Sequence, residues 1–187
     1  MILNDKQIAI TGHTRGFGKF IYDQLILNNL MLGFSKSTGT DITKKSDRES
    51  LIETIIDFDV FINCAHDGFG QTELLYELYD KWQHQNKMIL NIGSNAKDFT
   101  SYSEDGPYKY GVQKSALNLA SKQLGRYDEC RVVSVDFGYF ENANDKYFIP
   151  YSDAYPFVEE ALKSFGKPYR VLEITIAHPP EKKERKN

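Results

Sequence analysis

The chain has 187 residues, the length of one domain, and its 23 basic against 26 acidic residues leave a formal charge of −3. That balance offers no bulk attraction to nucleic acid or an anionic lipid surface. No apolar stretch reaches transmembrane length, the opening Met-Ile-Leu-Asn-Asp-Lys lacks the pattern of a signal peptide, and Cys64 and Cys130 are too few for a disulfide framework, so a cytoplasmic protein with free thiols is expected.

In chain order, apolar runs alternate with segments of helical spacing. The runs are Gln7–Ile10, Met31–Phe34, Val60–Ile62, Met88–Ile92, Arg131–Val135 and Val171–Ile176. Several are continuously apolar, as expected of strands covered on both faces. The first leads into a glycine-rich turn, Thr11-Gly-His-Thr-Arg-Gly-Phe-Gly18. The second ends in Gly33-Phe34-Ser35-Lys36-Ser37, and a short third strand is expected before Asp41-Ile42-Thr43.

Ser46-Asp-Arg-Glu49 has the spacing of a capping box, with Leu51, Ile52, Ile55 and Ile56 forming one stripe behind it. Asn63-Cys-Ala65 closes the fourth strand. Thr72 is placed to cap a helix bearing Leu74, Leu75, Leu78, Tyr79 and Trp82. Met88–Ser94 is the fifth strand, and Pro107 suits the first turn of a helix running through Tyr110 to about Arg126. The last helix carries Phe157, Val158, Ala161, Leu162 and Phe165, and Gly166 with Pro168 ends it. This alternation predicts an α/β fold, a three-layer doubly wound parallel sheet filling residues 1–178 as a single domain. The charged residues 179–187 are expected to form a disordered tail.

Gly12, Gly16 and Gly18 let the backbone approach a pyrophosphate while the following helix aims its free N–H groups at it. Thr14, Arg15 and Phe17 complete that turn. A carboxylate after the second strand would meet the ribose hydroxyls of NAD, whereas a cation would meet the 2′-phosphate of NADP. Here stand Ser35, Lys36 and Ser37, with a second cation at Arg15. Two cations and no acid predict NADP(H) in preference to NAD(H). Asp41 and Ile42 are placed for the adenine edge, and the backbone of Asn63, Cys64 and Ala65 for the cofactor ribose. A plain turn aspartate and a locally bonded asparagine are the bland alternatives.

Tyr110 and Lys114 stand four residues apart, on one face of a helix. A phenol near pKa 10 becomes a useful acid–base when a nearby ammonium favours phenolate. Tyr110 is therefore predicted to pass a proton to a nascent alkoxide. Lys114 lowers its pKa and holds the nicotinamide ribose, and Ser94 orients the carbonyl. The glycine turn, Ser35, Asn63, Ser94 and Gly138 should share the carboxyl rim of the sheet. The four histidines lack metal spacing, so no metal is expected. His13 sits in the glycine turn, near phosphate or as an exposed loop side chain. Tyr108, Tyr139 and Phe140 are candidate pocket walls, with core packing the default for aromatics.

From Lys6 to Ile176 the sequence resembles the short-chain dehydrogenase/reductases. Thr11-Gly12, Gly16 and Gly18 match that family's Thr-Gly-x-x-x-Gly-x-Gly turn, Asp41 its adenine-site aspartate, and Asn63-Cys-Ala65 its Asn-Asn-Ala. Ser94, Tyr110 and Lys114 match its catalytic serine, tyrosine and lysine, and Gly138 the glycine passing the nicotinamide. Arg15 and Lys36 fall where NADP-preferring members carry basic residues. The resemblance implies a Rossmann-type fold and interconversion of a small-molecule carbonyl and alcohol. It also implies a homodimer or homotetramer built on the two helices around Trp82 and Leu119. Cys64 and His66 depart from the pattern, as does Phe137 in the place of a proline. The family's catalytic asparagine has no clear counterpart, Asp67 being nearest by spacing. The stretch Tyr139–Tyr151, where relatives insert a substrate lid, is short. A cofactor-binding regulatory or scaffold module is the alternative to an enzyme.

Overall fold

The computed structural model describes residues 3–99, 102–103, 106–140 and 148–177. The expected tail, His178 and the middle of the lid stretch lie outside the described residues. Strands β1 (Gln7–Thr11), β2 (Leu30–Phe34), β3 (Val60–Asn63) and β4 (Met88–Ser94) precede a small antiparallel pair, β5 (Tyr102–Ser103) and β6 (Gly106–Pro107). Strands β7 (Arg131–Phe137) and β8 (Glu173–Ile176) complete the set, and the helices are α1 (Gly16–Leu25), α2 (Lys45–Thr54), α3 (Gly70–Trp82), α4 (Lys109–Leu124) and α5 (Tyr151–Lys163). Among these residues one six-stranded sheet forms in the order β2-β1-β3-β4-β7-β8, every pair parallel. The expected doubly wound α/β fold is therefore present.

Both faces of the sheet are covered, which explains the unbroken apolar runs. Ile8 and Ile10 point with Ile62, Leu90, Val133 and Val135 toward α1 and α5, where Ile21, Leu25, Val158 and Leu162 meet them. Ala9, Phe61, Ile89 and Val132 point the other way, onto Leu51, Leu74, Leu78, Trp82 and Leu117 of α2, α3 and α4. Each strand thus divides its side chains between two dry layers.

The stretch before Asp41 differs from expectation. No strand forms there among the described residues; Lys36–Thr38 make a 3₁₀ turn, and Gly39 follows at φ +99°. The side-chain oxygen of Ser35 accepts the Thr38 amide at 3.2 Å, and the Thr38 hydroxyl accepts the Ser35 amide at 3.1 Å. Such local bonds offer the backbone a substitute for a sheet ladder. The result is that β2 is the edge strand.

Helix starts also differ. Asp47 accepts the Asp41 amide at 2.9 Å, and α2 begins at Lys45, so Ser46 and Glu49 make no capping box. Thr72 falls inside the first turn of α3, which begins at Gly70. Pro107 belongs to β6, and α4 begins at Lys109 and ends at Leu124.

A buried ion cluster ties the far side of the sheet together. Lys97, in the 3₁₀ turn Asn95–Asp98 after β4, is only 6% exposed and pairs with Asp136 of β7 and Glu173 of β8. Asn118 of α4 donates to both carboxylates at 3.1 Å, and Ser134 donates to Asp136 at 2.8 Å. Removing the cation strands a carboxylate that is 1% exposed. Lys97→Met should accordingly cost about 3–5 kcal/mol, read as a lower midpoint in urea unfolding. Lys122→Ala removes the more exposed partner of Glu173 and should cost no more than about 1 kcal/mol in the same assay.

Candidate active site

The carboxyl ends of β1 to β4 open onto a crevice of about 950 Å³. Its floor is the glycine turn, where two residues need their conformational freedom. Gly12 sits at φ +79°, and a methyl group on Gly18 would collide with the Gly12 carbonyl. The side-chain oxygen of Thr11 accepts the amides of Cys64 and Ala65, each at 3.0 Å, and so fastens the turn to the end of β3. No side chain caps α1 among the described residues, so its first N–H groups face the crevice. A backbone cradle this close, with the positive end of a helix behind it, fits a pyrophosphate.

Thr14, Arg15, Gly16 and Phe17 line the crevice with Gly12 and Gly18, as do Ser35, Lys36, Asp41, Ile42, Cys64 and Ala65. Tyr110 and Lys114 form its inner end. Asn63, Ser94 and Gly138 are not in the lining. Asn63 turns its side chain inward, donating to the Gln71 carbonyl and to Asn91, both at 2.9 Å. Gly138 donates its amide to Ile176 at 2.9 Å, just beyond β7. His13 packs its ring over Gly33 and beside Tyr22, with centroids 5.3 Å apart, rather than over the phosphate cradle.

No acid stands at the end of β2 itself, as expected, but two carboxylates reach its cation. Lys36 lies 3.1 Å from Asp41 and 3.2 Å from Asp67, which raises its pKa. The hydroxyl and amide of Thr43, and after them Lys36, hold the Asp41 carboxyl down at about 2. Asp41 follows Lys36 in the same loop, but Asp67 stands 31 positions away, which is why reading the second strand alone missed it. Ser35 spends its hydroxyl within the 3₁₀ turn, 2.9 Å from that of Ser37.

Ile42 is buried, and its carbonyl accepts from Arg48 at 2.9 Å. Arg48 is itself held by Glu77 through two bonds of 2.9 Å and by Glu73 at 2.8 Å. Sequence reasoning passed over Arg48. Its signal was a cation on the face of α2 that carries Leu51 and Ile52, matched by glutamates four residues apart on α3.

Ser94, Tyr110 and Lys114 do come together. Tyr110 is hydrogen-bonded with Ser94, and Lys114 Nζ lies 5.7 Å from the centre of the Tyr110 ring. Ser94 also accepts the Ala96 amide at 3.2 Å, which fixes the hydroxyl at the mouth of β4. The net direction at Tyr110 is opposite to the lowering expected from Lys114. Burial pushes the phenol up and outweighs the hydrogen bond with Ser94 that pulls it down.

Burial likewise brings the Lys114 ammonium down to about 8, against the pull of Cys64 and Asp136. The Cys64 thiol is pushed up to about 11 by burial, with Lys114 opposing. His66 sets its ring edge-on to Tyr110, centroids 4.8 Å apart at 89°. Burial first and Lys114 second push its imidazole down to about 4, so it stays neutral near pH 7.

Gln71, behind the lining, and Tyr151, within it, escaped sequence reasoning, whereas Phe140 lines the crevice as a candidate wall. Gln71, at the start of α3, accepts a hydrogen bond from Lys114 at 2.8 Å; Asp67, nearest by spacing to the family asparagine, pairs with Lys36 instead. Tyr151 stacks on Phe17 at 5.5 Å, and Phe140 approaches Phe17 at 4.7 Å, closing one end of the crevice with aromatic rings. Phe137 joins them at 5.2 Å from Phe17. Of the lid stretch, residues 141–147 lie outside the described residues; Phe140 and Ile149 pair on either side of them.

No family model matches the chain, and no curated protein matches it. Solved structures do. A short-chain dehydrogenase from Burkholderia cenocepacia in complex with NADP superposes with a TM-score of 0.76 at 16% identity, over 94% of this chain and 89% of that one. A dehydrogenase/reductase from Sinorhizobium meliloti gives 0.74 at 16% identity, over 94% and 95%. Serine dehydrogenase from Escherichia coli gives 0.69 at 16% identity, over 92% and 97%. The chain has the Rossmann-type fold of short-chain dehydrogenases and reductases.

Proposed function

We propose that the chain is a short-chain dehydrogenase/reductase that interconverts a small-molecule carbonyl and alcohol with NADP(H). The observation that carries this reading is that Tyr110 and Lys114 line the inner end of a crevice floored by a glycine cradle, with Ser94, outside the lining, hydrogen-bonded with Tyr110. NADPH, when bound, supplies the hydride. Gly12, Gly16, Gly18 and the first amides of α1 would hold its pyrophosphate, with Asp41 and Ile42 beside the adenine. Ser94 donates to the substrate oxygen and orients it. Tyr110 gives its proton to that oxygen as charge develops there, or takes one in the reverse direction. Lys114 provides fixed positive charge beside the phenol, stabilising phenolate once the proton has left.

Arg15 and Lys36 support a preference for NADP. Lys36 is 69% exposed, so it can turn from its two carboxylates to a 2′-phosphate. Oligomerisation on α3 and α4 is supported by Tyr76, Val112 and Leu119, which stand 40%, 57% and 68% exposed there. Among the described residues no helix is long and apolar enough to cross a membrane, in keeping with a cytoplasmic enzyme. A second reading, an NADP-binding regulatory module, draws on His66 against Tyr110 and on the Lys36–Asp67 pair across the rim.

Tyr110→Phe should leave NADPH affinity within about 2-fold of the parent while lowering turnover at least ~100-fold, judged by fluorescence titration and a carbonyl-reduction assay. Turnover at the parental rate would remove Tyr110 from the chemistry. A parent that binds NADPH yet reduces no carbonyl and oxidises no alcohol in a broad screen would favour the regulatory module.

Lys36→Asp and Arg15→Ala should each weaken NADPH by roughly 10- to 100-fold, the worth of a charged hydrogen bond, and NADH far less. Equal losses for both cofactors would reject the phosphate assignment.

A further inference from the structure

The geometry points to Gln71 as the positioning residue for Lys114: its amide oxygen holds the lysine in place and in its ammonium form. The catalytic meaning of this rests on the oxidoreductase reading, but the contact itself does not.

Lys114 is 4% exposed, so its charge has lost nearly all contact with water. A buried ammonium is costly unless its donors are met. Two of the three N–H donors find acceptors: Gln71 Oε1 at 2.8 Å and the Ile92 carbonyl at 3.1 Å. Among the described residues Lys114 has no carboxylate partner. Cys64 faces it from the end of β3, Asp136 from β7, Tyr110 from one turn earlier on α4 and His66 from the loop before α3. Asp136 is already engaged by Lys97, and the thiol, the phenol and the imidazole are neutral near pH 7.

The orientation of Gln71 is dictated by its other end. Its amide nitrogen donates to the carbonyls of Asn63 at 2.7 Å and Ile92 at 3.1 Å. Flipping the amide would put an oxygen against two carbonyls and an NH₂ against an ammonium. The anchor extends further. Asn63 donates to the Gln71 carbonyl and to Asn91, Asn91 donates to Ser121 at 3.0 Å, and Ser121 donates to Leu117 at 2.7 Å. The chain of bonds leaves α4 at Lys114 and returns to it at Ser121, fixing the lysine against α3, β3 and β4.

A neutral acceptor also suits the chemistry better than an acid. A glutamate here would hold the ammonium more tightly but cancel its charge. An amide holds it and leaves the positive field directed at Tyr110 and the crevice.

The test is a pH titration of the lysine side-chain resonances of the full chain by heteronuclear NMR, with the Lys114 signal assigned by its loss in Lys114→Met. The parent midpoint is expected near 8. Gln71→Leu removes an acceptor and should lower the midpoint by about one pH unit or more; Gln71→Glu, nearly isosteric, should raise it by about 1–3. Simple loosening would admit water and move both variants upward, toward the ordinary lysine value. Shifts in the same direction, or no shift, overturn the proposal. If Gln71→Leu fails to fold, Gln71→Met, close to glutamine in length and lacking the acceptor, takes its place with the same lowering expected.

The alkaline limb of kcat/KM, measured with NADPH and a substrate found by the screen, should move with each midpoint. Expected midpoints without any turnover in the parent would keep the role of Gln71 and remove the reductase reading. Turnover in the parent with midpoints indifferent to residue 71 would do the reverse.

Discussion

The site depends on one costly act, the burial of an unpaired ammonium at the carboxyl end of the sheet. Lys114 reaches the crevice from α4 across the end of β4, and neither element alone satisfies its donors. The Ile92 carbonyl is available because β4 runs on to Ser94 while the Ile92 oxygen still faces α3 and α4. Gln71 is available because α3 starts only seven residues after β3 ends, which brings its first turn over the sheet. A longer connection would lift that turn away. The short loop therefore helps to set the electrostatics of the crevice, although no residue between Cys64 and Phe69 touches the ammonium directly by a hydrogen bond among the described residues.

The same economy shapes the other end of the crevice. Where a doubly wound dinucleotide fold has a strand beyond β2, this chain has a 3₁₀ turn and an aspartate turn. Losing the strand would leave that side of the crevice without a wall. Arg48 compensates by gripping the Ile42 carbonyl from α2 and bracing itself on two glutamates of α3. The loop that carries Asp41 is thereby held by a charge-assisted network in place of a ladder. Lys36 sits between Asp41 and Asp67 at the open rim, where water screens the pairs and an incoming phosphate can compete for the cation.

The fold was legible because both faces of the sheet are buried. Runs such as Val60–Ile62 and Met88–Leu90 have no polar interruption, and the helices between them bury clear stripes. The glycine turn and the pairing of Tyr110 with Lys114 were legible for a different reason: their chemistry needs fixed spacing along the chain. Gln71, Asp67 and Arg48 were not, since each acts on a residue from another element. Gln71 meets Lys114 across 43 positions, and Arg48 meets Glu77 across 29. The capping box failed by a subtler route. The helix begins at Lys45, which puts Ser46 inside its first turn, and Asp47 accepts the Asp41 amide, a partner outside the helix that no local motif announces.

Two covered lysines in this molecule show how the groups around an ammonium set its state. Both are largely covered, but Lys114 lies deeper: it is 4% exposed, whereas Lys97 is only partly buried. Lys97 has two carboxylates around it, and their attraction outweighs desolvation, so its pKa is raised. Its field ends within the cluster, and what it provides is cohesion between the turn after β4 and strands β7 and β8. Lys114 has only amide and carbonyl oxygens, so desolvation wins and its pKa falls to about 8. An ammonium in that state is close to losing its proton and exerts its charge outward. The difference lies in the acceptors as well as in the depth. Oxygen atoms with partial charge hold a cation without consuming it, and that condition is what a phenol needs from its neighbour when it must surrender a proton and take it back.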